Sequence, residues 1–278
     1  MDRTSFRPNA DDQDDDWSKS SSPLSESERC FCSRECLLRI LTATRFDLEK
    51  SITRLEQTLI WRRQYGVDQI ELEIVSKESE TGKQFVLGYD RQSRPCLYMF
   101  PQRQNTKPSA DQIKLVVWSL ERTIDLMPPG VENLSLIIDF GSNHSASTTT
   151  VYQAKEVIKI LQTYYCERLG KAICINVPWV FWGFYKLVKP FLDSRTAEKI
   201  EFDPVLTDLV PAEQLPKEPF GGDLDFEYDH GSYFSLLVKL TDQRRKDILE
   251  RYQRFGENKI GVSEALLRGR EPEVETRP

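Results

Sequence analysis

Two short apolar runs, Leu134-Ser135-Leu136-Ile137-Ile138-Asp139 and Ala172 to Val177, constrain this chain most. By composition each is a buried strand, and buried strands belong to a sheet covered on both faces. Between them, from about Val151 to Leu169, the pattern is helical and is expected to end at Gly170. Strand, helix and strand in that order make a crossover unit, and crossovers join parallel strands. Upstream, the period changes at Thr81. Gln84 to Tyr89 and Pro95 to Phe100 read as two strands joined by the polar turn Asp90 to Arg94. Ser109 and Gln112 form a capping-box pattern that opens a helix with Ile113, Val116, Val117, Leu120 and Ile124 on one face. Pro128-Pro129-Gly130 stops that helix, and Lys199 to Phe202 reads as a last short strand. The fold class is therefore α/β with a mainly parallel sheet. Amphipathic helices are too few to cover both faces, so one face is expected to meet something other than protein.

The 278 residues can bury one substantial core with a small helical companion. Residues 1–28 are rich in Ser and Asp, with Asp11, Asp12, Asp14, Asp15 and Asp16 clustered, and are expected to be disordered. Residues 29–75 read as a helical block. Leu37, Leu38, Ile40 and Leu41 give a short helix; Asp47 caps a longer one carrying Leu48, Ile52, Leu55, Leu59 and Ile60, and Gly66 ends it. Residues 76–230 hold the sheet. In 231–278 the chain is strongly charged, with an exposed helix expected from Asp242 to Phe255 and a loose tail from Glu257.

A net charge of −6 argues against nucleic acid as a partner. Met1 to Ser27 contains no apolar leader, and no stretch approaches the about 20 apolar residues of a membrane span. The expectation is a cytoplasmic protein with at most transient peripheral membrane association. The cysteines at 30, 32, 36, 96, 166 and 174 read as ordinary cytosolic thiols. Cys30, Cys32 and Cys36 are close together, but a fourth ligand is missing and His144 and His230 are remote, so no metal is expected. There is no G-x-S-x-G elbow, Walker loop or G-x-G-x-x-G. His144 lies in the Ser/Thr-rich loop Gly141 to Thr150 with only Ser142 or Ser145 to pair with, so no catalytic residues are assigned.

The segment Val177 to Asp193 departs from the rule that a surface helix has one apolar stripe. Trp179, Phe181, Trp182, Phe184, Tyr185, Leu187, Val188 and Phe191 surround it, interrupted only by Gly183, Lys186 and Lys189. Such a helix is either wholly buried, packed on a large apolar ligand, or in contact with a membrane.

Several signatures then stand in order: L-L-R-I-L-T-A-T-R-F-D-L-E-K from Leu37, W-R-R-Q-Y-G-V from Trp61, and Y-D-R-Q-S-R-P-C-L-Y from Tyr89. Y-Y-C-E-R-L-G-K from Tyr164 leads into I-N-V-P-W; P-F-L-D-S-R-T-A-E-K-I and L-P-K-E-P-F-G-G follow. Over about residues 34–230 the chain resembles the CRAL-TRIO lipid-binding family of the fungal phosphatidylinositol/phosphatidylcholine-transfer type. It is nearest the azole-tolerance-associated branch that handles phosphatidylinositol and sterol. The resemblance implies a cage: a sheet floor, with Trp179 to Phe191 as a movable gate helix over a lipid cavity, preceded by a small helical domain. It also implies that Glu167 and Lys199 recognise the phosphatidylinositol headgroup, that Thr196 donates to its phosphate, and that Arg45 is one half of a basic pair whose other half is here Thr44. Cys166 departs from the usual proline. Taken alone, Glu167 and Lys199 read as solvated charges at a helix end and a strand start.

On the floor, Leu134 and Leu136, ahead of Ile138, stand where phosphatidylcholine carriers place hydroxyls. Sterol suits that surface better than phosphatidylcholine; the leucines also read simply as core fillers. The implied partners are phosphatidylinositol and other lipids and a transient membrane surface; the alternative to a carrier is a lipid-sensing adaptor that presents phosphatidylinositol to a lipid kinase or reports lipid occupancy to a protein partner. No cofactor is implied.

Overall fold

A computed structural model of the chain describes residues 22–141, 151–179 and 181–271, with backbone alone for 151–153. The helical block opens with α1 (Glu26–Phe31), α2 (Arg34–Ala43), α3 (Leu48–Tyr65) and α4 (Leu72–Ser79). Each of the first three is set by a polar cap. Ser25 and Glu28 form a reciprocal capping box, Ser33 accepts from the Cys36 N–H, and Asp47 accepts from the Lys50 N–H. Gly66 ends α3 at φ +68°, a left-handed position that suits glycine. The helical chain thus starts inside the stretch expected to be disordered, because Ser25 caps α1 and Glu28 pairs with Arg63 of α3. Residues 1–21 lie outside the described residues.

Five strands follow in the order β1-β2-β3-β4-β5: β1 (Gln84–Tyr89), β2 (Pro95–Met99), β3 (Leu134–Asp139), β4 (Leu169–Ile175) and β5 (Ile200–Phe202). The first two form an antiparallel hairpin and the rest run parallel, with Leu97, Leu136, Ala172 and Ile200 in register. The hairpin turn is fixed by buried Asp90, whose Oδ1 accepts from the Gln92 and Arg94 N–H groups at 2.8 and 3.0 Å. The crossovers are α5 (Ala110–Asp125), α6 (Val151–Tyr164), and the pair α7 (Phe181–Val188) and α8 (Ser194–Glu198). Ser109 occupies the N-cap of α5, but its side chain makes no cap hydrogen bond; Gln112 turns instead to the Thr106 and Lys107 carbonyls.

On one face of the sheet Leu134 and Leu136 pack beneath Ile113, Val117 and Leu120 of α5 and Ile160 of α6. On the other, Phe85, Tyr98, Ile137 and Ile173 meet Leu206 of α9 (Leu206–Leu209) and then Val210, Leu215 and Phe220. This second face is therefore covered by largely irregular chain, which a count of amphipathic helices overlooks. The expectation of a sheet face without protein cover is corrected to that extent.

Three boundaries also differ from the sequence reading. The crossover helix ends at Tyr164, five residues early, because Glu167 takes a left-handed φ of +58° and turns the chain into β4. Gly170 therefore lies within a strand, where a Cβ would come 2.5 Å from Nη1 of Arg94. The expected terminal helix begins twelve residues earlier, as α10 (His230–Phe255), capped by Asp229. It is not simply exposed: Leu237 joins Val75, Leu115 and Trp118 in a third core, and Arg245 pairs with Asp125 of α5 at 2.8 Å. The expected loose tail folds back through α11 (Glu264–Leu267), whose Glu264 is buried between Arg39 and Arg168.

Candidate functional site

The turn between α6 and β4 presents Glu167, and the end of α8 presents Lys199. The Lys199 carbonyl accepts from the Ala172 N–H at 2.9 Å, which fixes α8 beside β4. Lys199 Nζ then lies 3.5 Å from Glu167 Oε2, and both side chains are partly exposed. Thr196 is one turn before Lys199. Its N–H and hydroxyl both donate to Asp193, at 2.9 and 2.5 Å, so Asp193 caps α8 and orients Thr196. Asp193 is held below its ordinary pKa: burial opposes this, but the two Thr196 hydrogen bonds, the Arg195 N–H and the Lys199 charge together outweigh it.

Glu167, Thr196 and Lys199 thus come together. Arg45 does not join them: it lies exposed in the turn between α2 and α3 at φ +56° and forms no ion pair with Glu167. The neighbouring contact to the site comes from Arg54 of α3, which donates to the Thr163 and Gln162 carbonyls just ahead of the Glu167 turn.

Arg195, which the sequence reading missed, joins this cluster. Its Nη1 lies 3.2 Å from Glu167 Oε1, so Glu167 is flanked by two cations. The signal was present, since Arg195 and Lys199 are four residues apart and share a helical face.

The aromatic segment forms a shorter helix than expected. Trp179 precedes α7 and is largely in solvent, while Lys189–Phe191 is a 3₁₀ turn after it. Phe181 packs on Phe140 with centroids 4.7 Å apart, and Trp182 and Tyr185 pack on Phe202 at 4.9 and 5.4 Å. Phe140 and Phe202 stand at the carboxyl ends of β3 and β5, so α7 closes that edge of the sheet. Val188 is buried and Phe184 half-buried, whereas Trp182, Leu187 and Phe191 are exposed. None of these residues belongs to the three core clusters, and neither does half-buried Ile138. The helix is thus half-packed on rings and half in water, an intermediate between the extremes the sequence allowed.

A cavity of about 370 Å³ lies elsewhere, among Arg39, Arg62, Glu121, Tyr165, Glu264 and Arg268. It takes no residue from the aromatic segment or from the Glu167–Lys199 pair, and Arg39, Arg62, Arg168 and Arg245 in its wall are ion-paired, so we do not assign a lipid to it. The three neighbouring cysteines are thiols of low reactivity: burial pushes Cys30 and Cys32 up to about 12 and Cys36 up to about 11. Among the described residues no group of three or more His, Cys, Asp or Glu side chains could hold a metal ion. His144, Ser142 and Ser145 lie outside the described residues. Among those described, no helix is long and apolar enough to cross a membrane.

The CRAL/TRIO domain matches residues 79–222, more than half of the chain, and the CRAL/TRIO N-terminal domain matches residues 10–57. The chain belongs to the CRAL/TRIO family. It is 50% identical over 252 residues to a CRAL-TRIO domain-containing protein of Schizosaccharomyces pombe, covering 91% of this chain but only 25% of that protein. It is 35% identical to the phosphatidylinositol transfer protein PDR17 of Saccharomyces cerevisiae, over 96% of this chain and 79% of PDR17. It is 32% identical to the SEC14 cytosolic factor of Kluyveromyces lactis, over 72% of this chain and 74% of that protein. Among solved structures, that of Sfh5 superposes with a TM-score of 0.54 at 19% identity, over 76% of this chain and 81% of the other. That likeness establishes the CRAL/TRIO fold: a five-stranded, mainly parallel sheet preceded by a helical domain.

Proposed function

We propose that this CRAL/TRIO chain is a lipid carrier that binds phosphatidylinositol and moves it between membranes by opening α7. The observation that carries the reading is the pairing of Glu167 with Lys199 at the amino ends of β4 and β5, together with an aromatic helix at the carboxyl ends of β3 and β5 that joins no core cluster. Lys199 neutralises the headgroup phosphate, Glu167 accepts from inositol hydroxyls, and the Thr196 hydroxyl donates to the phosphate once it turns from Asp193. The name of PDR17 as a phosphatidylinositol transfer protein points to the same headgroup.

Energetically, two acyl chains hold on the order of 30 methylenes, each costing about 0.8 kcal/mol in water. Unassisted desorption against roughly 24 kcal/mol is slow, so a carrier needs only a dry cavity and a gate, without covalent chemistry. Leu134 is buried under α5 and α6 and half-buried Leu136 packs against the same cluster, so in this reading the ligand-facing floor starts where that cover thins, at Leu136 and Ile138. That apolar floor favours sterol over phosphatidylcholine as a second ligand, because a buried phosphocholine group would lack hydrogen-bond donors there. The carrier works from the aqueous phase and visits bilayers briefly.

Lys199→Ala should abolish phosphatidylinositol transfer between vesicles while fold and apolar-ligand binding persist. Equal loss of sterol binding and of thermal stability would make Lys199 structural.

A further inference from the structure

The left-handed turn that aims Glu167 at Lys199 needs an external hold. A non-glycine residue in that conformation is strained and persists only where its surroundings determine it. The contacts of the Glu167 side chain itself are too weak for this: both are partly exposed ion pairs, at 3.2 and 3.5 Å. The hold lies on the next residue. The Arg168 N–H donates to the Tyr165 carbonyl at 3.2 Å, and the Arg168 carbonyl accepts from Leu134 at 2.9 Å. The Arg168 side chain is buried, with Nη1 donating to the Glu132 carbonyl at 2.9 Å and Nη2 to Glu264 Oε1 at 3.3 Å.

Glu264 arrives from α11, 96 residues further along the chain, and is itself fixed from several sides. Its Oε1 accepts from Arg39 and, at 2.9 Å, from the Ser33 hydroxyl, while its N–H donates to Glu35 Oε2 at 2.6 Å. Arg39 also reaches Glu132 Oε2 at 2.7 Å, so Arg39, Glu132, Arg168 and Glu264 form a closed ring. One carboxylate therefore serves two buried guanidinium groups, and without it two like charges would face each other in the interior.

We infer that Glu264 is a positioning residue for the headgroup site: through Arg168 it holds the Glu167 turn in the conformation that points Glu167 at Lys199. The C-terminal segment is thereby part of headgroup selection, reaching the Glu167 turn only through Arg168. This inference rests on the phosphatidylinositol reading above.

The test measures binding of a fluorescent phosphatidylinositol and of a diacylglycerol with the same chains to the full-length protein. In Glu264→Gln, phosphatidylinositol affinity should fall about tenfold, corresponding to about 1.4 kcal/mol. Diacylglycerol affinity should stay within about twofold, and in a Glu167→Gln background the further effect of Glu264→Gln should vanish. Arg168→Lys keeps the buried charge but loses the guanidinium fork, and should show the same headgroup-specific loss should Glu264→Gln fail to fold. Equal loss for both ligands, additive losses in the Glu167→Gln background, or unchanged binding by the variants would overturn the inference. An unmodified protein that binds diacylglycerol but not phosphatidylinositol would instead overturn the headgroup reading, and this inference with it.

Discussion

If α7 is the membrane-facing gate, its exposed apolar side chains set the affinity for a bilayer. Trp179 is 81% exposed, Leu187 59%, Phe191 45% and Trp182 44%. Together they leave roughly two whole side chains' worth of apolar surface in water, and transfer into hydrocarbon gives about 3–6 kcal/mol. Lys186 and Lys189 add about 1 kcal/mol each only where the lipid is anionic and salt is low. Trp179 and Leu187 carry more than half of the apolar contribution, and neither fills a core. Replacing both with Asp should therefore leave the fold intact and remove at least about 2 kcal/mol, a roughly 30-fold weaker partition. Cosedimentation with phosphatidylcholine vesicles and with anionic vesicles, each at low and high salt, would measure it. The double variant should lose binding to both, with salt altering only the anionic case. Unchanged partition, or partition abolished by salt alone, would refute insertion of this segment.

Three further outcomes follow from the same structure. Gly170→Ala should destabilise the protein by about 1–3 kcal/mol in chemical denaturation, since its Cβ would overlap Arg94, which is buried and paired with Asp90; an unchanged midpoint would show that Arg94 yields freely. Acidification should weaken the clamp between α1 and α3. The Arg63 hydrogen bond lowers Glu28 from 4.5 to about 2, so its contribution is complete above pH 4.5 and is lost as pH falls towards about 2. Glu28→Gln should flatten that acid limb of a stability-against-pH curve, and an unaltered limb would exclude the pair as its source. Leu136→Thr should raise phosphatidylcholine binding relative to phosphatidylinositol in a vesicle-extraction assay, by supplying a hydroxyl on the floor; an unchanged ratio would remove Leu136 from ligand contact.

The parts of the fold that were legible in the sequence are those governed by local pattern. The apolar run Leu134 to Asp139 corresponds residue for residue to β3, and the hairpin turn of Asp90 to Arg94 follows from short-range hydrogen bonds. Glu167 and Lys199 were found only through motif resemblance, because their pairing joins a turn to a helix end 32 residues away. The end of α6 was misplaced because Tyr164, Tyr165 and Leu169 continue an apolar spacing that the left-handed Glu167 interrupts without a sequence signal. Gly170 read as a helix stop, whereas its requirement is close approach by Arg94. Glu264 was illegible for a further reason: an ion pair over 96 residues leaves no periodic trace, and one glutamate in a polar tail looks solvated until the chain folds it between Arg39 and Arg168.

The central claim is that this chain carries phosphatidylinositol in the site made by Glu167 and Lys199. Native mass spectrometry of the protein purified from its host, with the released lipid identified, tests this directly. The account predicts phosphatidylinositol bound to the unmodified protein and absent from Lys199→Ala, with sterol retained in both. Phosphatidylinositol missing from the unmodified protein, or present equally in Lys199→Ala, would contradict it.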